Sequence, residues 1–152
     1  MMKKEDEIMF ARKNKKQKDT FAERVLKADL RMRANFNEIK NELLSYGVNS
    51  EIDEEGAVFF IDRKRYAWIN IVDKTLLIYL AINPKECKMS CCLTEDVGYR
   101  SAFVDIPLLF KVTSPESVNK CKEYIKNMME KDGLSKNCSD DVSWSSEMLS
   151  RF

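Results

Sequence analysis

AVFFIDRKRYAWINIVDKTLLIYLAI, residues 57–82, is the stretch that decides the fold. It carries three apolar runs, 58–61, 66–72 and 75–82, rich in the β-branched and aromatic residues that a pleated, half-buried surface favours. Asp73-Lys74 separates the second run from the third, and a two-residue hairpin there sets Val72 against Thr75, Asn70 against Leu77 and Trp68 against Tyr79. The other face then holds Ala67, Ile69, Ile71, Leu76, Ile78 and Leu80, with no polar side-chain atom among them. That face is core. Asp62-Arg63-Lys64 joins the first two strands and leaves a compact basic patch, Arg63, Lys64 and Arg65, at the end of the sheet.

Upstream, Thr20-Phe21-Ala22-Glu23 is a capping box, the signature of a helix start. Phe21, Val25, Ala28, Met32, Phe36, Ile39, Leu43 and Tyr46 then recur at spacings of three and four, and Gly47 supplies a terminator. The pattern predicts one long helix over residues 21–46, of about seven turns. Its stripe runs straight into the sheet, so the helix is expected to lie on the sheet rather than in a coiled coil. Residues 48–56, with Asp53, Glu54 and Glu55, are expected to be a solvated connection, since the alternating ligands of a calcium loop are missing.

Downstream, Asn83-Pro84 ends the meander, and residues 85–102 are expected to form a long loop. The run IPLLFKV, residues 106–112, predicts a fourth strand, with Pro107 marking either an edge strand or a start just beyond it. Ser114-Pro115-Glu116 opens a second helix, whose buried stripe is Val118, Cys121, Ile125 and Met128 and which ends near Asp132-Gly133. The expected fold is α+β: a long N-terminal helix, an antiparallel sheet of about four strands (a three-stranded meander plus one) and a C-terminal helix. Residues 20–134 form the single domain, 1–19 a basic flexible arm and 135–152 a flexible tail. In that tail Trp144, Met148, Leu149 and Phe152 are scattered apolar positions.

Chemistry is bounded mainly by composition. The chain has 152 residues and no histidine, which removes the commonest general base, the commonest zinc ligand and the residue that orients most serine and cysteine nucleophiles. The five cysteines (87, 91, 92, 121 and 138) are an odd number, and zinc would need the last two, far apart, to complete a set. Reduced thiols and no metal are expected. Neither a G-x₄-G-K-[ST] loop nor G-x-G-x-x-G is present, so the reading is of a non-enzyme with no cofactor. No apolar run approaches a membrane span, and the lysine-rich start has no apolar stretch behind it; the expectation is a cytoplasmic protein without membrane contact.

The order helix, three-stranded meander, loop, strand, helix, with RKRYAWINIVDKTLLIYLAINPKE and IPLLFKV, resembles an uncharacterised family of small bacterial domains. It is also similar to MmcQ/YjbR-type double-wing domains, some of which have been proposed to bind DNA. The resemblance spans about residues 20–134, implies fold only, and carries no catalytic set. Asp73-Lys74 stands where such a hairpin often has glycine.

Two functional readings follow. The first is a non-catalytic interaction module, protein-binding or regulatory. The alternative is a nucleic-acid binder, with Arg12, Lys13, Lys15, Lys16 and Lys18 of the arm and the patch Arg63, Lys64 and Arg65 on phosphates. Tyr66, Trp68 and Tyr79 would then be an aromatic sheet face on which bases stack. A net charge of +1 weighs toward the first.

Overall fold

The computed structural model describes residues 19–86 and 94–136. Within them one antiparallel sheet holds six strands: β1 (Asn49–Ile52), β2 (Ala57–Ile61), β3 (Lys64–Val72), β4 (Thr75–Leu80), β5 (Thr94–Asp96) and β6 (Leu108–Val112). Their order across the sheet is β1-β2-β3-β4-β6-β5. Three helices, α1 (Phe21–Lys27), α2 (Leu30–Leu44) and α3 (Pro115–Lys131), flank it in sequence. The α+β class and the antiparallel sheet agree with the expectation from sequence; the strand number and the long first helix do not.

The central hairpin follows its sequence pattern. Val72 pairs with Thr75, Asn70 with Leu77 and Trp68 with Tyr79. Asp73 takes φ 56°, the left-handed conformation that a two-residue turn demands and that a short polar side chain tolerates. Asp62 does the same, at φ 53°, so Asp62-Arg63 alone turns β2 into β3. Ile69, Ile78 and Leu80 are fully buried and share one cluster with Phe36, Ile39 and Leu43 of α2 and with Val118, Cys121 and Ile125 of α3.

The single long helix over residues 21–46 is corrected to two. Ala28 is extended at ψ 154°, and Asp29 caps a new helix by accepting from the Met32 amide at 2.8 Å. The apolar period survives the break because both helices lie on the same core. Asp29 is a better N-cap than helix interior, and the local hydrogen bond wins. The capping box at Thr20 is present in full, and so is the Ser114 cap of α3, with Pro115 at its first position.

Two strands were not foreseen. Residues 48–56 were expected to be loop, but Asn49–Ile52 pairs with β2, and only Asp53 to Gly56 form the turn. In the expected loop 85–102, Thr94–Asp96 pairs with β6. Both strands are short and polar, so neither carries the apolar alternation by which a strand is read. The fourth expected strand begins beyond Pro107 and is internal, between β4 and β5.

Candidate interaction surfaces

A register shift between Phe59 and Phe60 leaves Tyr66 as the extra residue of a β-bulge. It therefore leaves the aromatic face expected from strict alternation. Tyr66 sits in the helix-side core, and its hydroxyl donates to Asp132 Oδ2 at 2.7 Å. The expectation of Tyr66, Trp68 and Tyr79 on one face is corrected to Trp68 and Tyr79 alone. Their ring centres are 5.3 Å apart.

That face is partly covered by a loop. Phe103, from a 3₁₀ turn at Ser101–Phe103, stacks on Tyr79 at 4.4 Å and 15° and lies 6.0 Å from Trp68. Val97, Ile106 and Leu109 complete a second small core with Tyr79, which is itself buried. Trp68 stays half-buried.

The basic patch is largely engaged. Arg65 makes a two-pronged pair with Asp105, at 2.8 Å and 2.6 Å, and a third bond to the Ala102 carbonyl at 2.7 Å. The hydrogen bonds from Arg65 hold the Asp105 carboxyl below its ordinary range. Lys64 Nζ lies 2.5 Å from Asp132 Oδ2 and 4.8 Å from the centre of the Tyr66 ring. Arg63, at the turn, is exposed. Arg12, Lys13, Lys15, Lys16 and Lys18 lie outside the described residues, as do Cys87, Cys91, Cys92 and Cys138. Cys121 is fully buried, and burial pushes its thiol up, the state of an inert core sulfur.

Two concave surfaces stand out. The first is a groove of about 750 Å³ along α3, at the end of β4. Ala81, Ile82, Tyr124 and Met128 give it apolar lining, and Lys64, Lys120 and Lys131 alternate with Glu86, Glu123 and Asp132 around it. Lys131 and Glu86 close to 2.6 Å across one side. The second, about 510 Å³, lies on the opposite face of the sheet and is bounded by Trp68, Phe103, Arg65 and the acidic turn Asp53, Glu54 and Glu55. Sequence reading missed both. Each is assembled from segments far apart in the chain, and only Gly56 hints at the second. A Cβ on Gly56 would lie 2.6 Å from the Trp68 ring and 2.5 Å from the Ile69 carbonyl oxygen, so glycine lets the indole press against the acidic turn.

Among the described residues no group of three or more His, Cys, Asp or Glu is placed to hold a metal ion, and no helix is long and apolar enough to cross a membrane. No family model matches the chain, and no curated protein or solved structure matches it either.

Proposed function

We propose that this chain is a non-catalytic interaction module that takes a polypeptide segment of a partner protein in the α3 groove. The carrying observation is the lining of that groove, an apolar base ringed by charges of both signs. Apolar surface supplies driving force, and mixed charges set register and orientation. A polyanion asks for cations of one sign left free for phosphate. Here Lys64 and Lys131 face Asp132 and Glu86, and Arg65 is held by Asp105. The nucleic-acid reading is therefore the weaker one on this part of the surface.

A photoreactive amino acid at Asn127, which lines the groove, tests the reading against the same group at exposed Asn119, outside it. A discrete protein cross-linked only from position 127, unchanged by nuclease and lost in Lys120→Glu, supports it. Cross-links equal at both positions, or abolished by nuclease, overturn it.

A further inference from the structure

We infer that the Trp68 cleft binds a cationic side chain, an arginine or lysine presented by a basic segment of a partner protein. This surface lies on the other face of the sheet from the α3 groove, so the inference stands apart from that reading. Its wall is aromatic: the Trp68 and Phe103 rings are 6.0 Å apart, and Tyr79 backs Phe103 at 4.4 Å. Trp68 is half-buried and lines the cleft, and an indole face is the strongest aromatic partner for a cation. The same attraction already operates inside the chain, where the Arg100 guanidinium lies 5.0 Å from the centre of Phe103.

Charge gives the cleft its sign. Asp53, Glu54 and Glu55 are exposed at its edge, while Arg65, the one cation in the lining, is held by both oxygens of Asp105. Arg24 offsets Glu55 in part, its guanidinium donating to the Glu55 carbonyl at 3.1 Å, and the Asp53 carboxylate accepts from the Glu55 and Gly56 amides, so the negative sign of the edge is carried chiefly by Glu54. Gly56 leaves room for the indole directly beside this turn. A guanidinium lying on the indole would meet carboxylates at its edge, combining stacking with ion pairing. A nucleobase could use the same ring, but its phosphates would face three carboxylates. The volume, about 510 Å³, suits a side chain and its flanking backbone and is too small for a larger body.

The test uses the full chain with Trp144→Phe, so that Trp68 is the sole tryptophan reporter. It is titrated at low salt with a twelve-residue Gly/Ser peptide carrying three arginines, and with the same peptide carrying uncharged citrulline instead. The expected result is a Trp68 fluorescence change and calorimetric binding for the arginine peptide only. Glu54→Gln/Glu55→Gln, at two exposed positions, should raise Kd about threefold to tenfold. Trp68→Leu, its folding confirmed by circular dichroism, should raise calorimetric Kd by about threefold or more. Equal binding of the citrulline peptide, no binding by the arginine peptide, indifference to the double glutamine change, or preference for an oligothymidylate would each overturn the inference.

Discussion

The Tyr66 hydroxyl donates a 2.7 Å hydrogen bond to Asp132 Oδ2, joining the bulge of β3 to the C-cap of α3 across 66 positions of sequence. Lys64 reaches the same oxygen, so one carboxylate ties the end of a helix to the start of a strand.

Two pH limits follow from this contact. Hydrogen bonds from Lys64 and Tyr66 hold the Asp132 carboxyl below its ordinary value. A depressed carboxyl contributes stability above its unfolded value, and that stability is lost as pH falls through the folded one. Burial first, then Asp132, pushes the Tyr66 phenol up to about 12. A raised group contributes below its unfolded value of 10.0, and the contribution fades as pH climbs through about 12. Asp132→Ala should cost about 1–3 kcal/mol near neutrality, because it strands the hydroxyl of the buried Tyr66. Urea titrations across pH should show the variant losing less stability than the parent at both extremes.

Lys40 works in the opposite sense to Tyr66. It is fully buried, and burial pulls its ammonium down to about 8. Between about 8 and 10.5 the unfolded chain binds more protons at this site than the folded one, so stability should rise with pH there. Lys40→Met should flatten that rise. A slope unchanged by the substitution, in denaturant midpoints measured from pH 7.5 to 10, would remove Lys40 as its source.

The helix break is testable at Asp29. Were residues 21–46 one helix, Asp29→Ala would favour it, since alanine is the better interior residue. With Asp29 as N-cap, the same change should lower stability by about 0.5–2 kcal/mol. Thermal unfolding followed by circular dichroism separates the two outcomes by sign.

Core packing gives the fourth expectation. Ile78 is fully buried in β4, with Phe110 paired beside it on β6. Ile78→Ala should cost about 2–4 kcal/mol through lost burial and a cavity. A loss under about 1 kcal/mol in a chemical denaturation curve would mean that the sheet faces are assigned the wrong way round.

What could be read from sequence was whatever a local period encodes. The alternation from Ala67 to Leu80 defined a face, and the caps at Thr20 and Ser114 defined helix starts. Strict alternation failed at Tyr66, because a bulge adds a residue without any mark of composition. The strands Asn49–Ile52 and Thr94–Asp96 were hidden because an edge strand does not need two apolar faces. The Trp68 cleft was invisible for a further reason: its acidic side, its indole and its Phe103 wall come from three separate segments. Sequence even suggested the opposite electrostatics, since it put Arg65 beside Trp68 but did not show that Asp105 would hold it.

Those same edge strands bear on how the protein behaves in a crowded solution. The strongly apolar β3 and β4 lie in the middle of the sheet, paired on both sides. The margins are left to four residues containing Glu51 and three containing Glu95 and Asp96. A foreign strand seeking to extend the sheet would find a short ladder and a negative charge at either margin, so the native state is a poor template for cross-β growth. The hazard moves to the partly unfolded chain, in which TLLIYL, without a charge or a proline, is free to pair with its own kind.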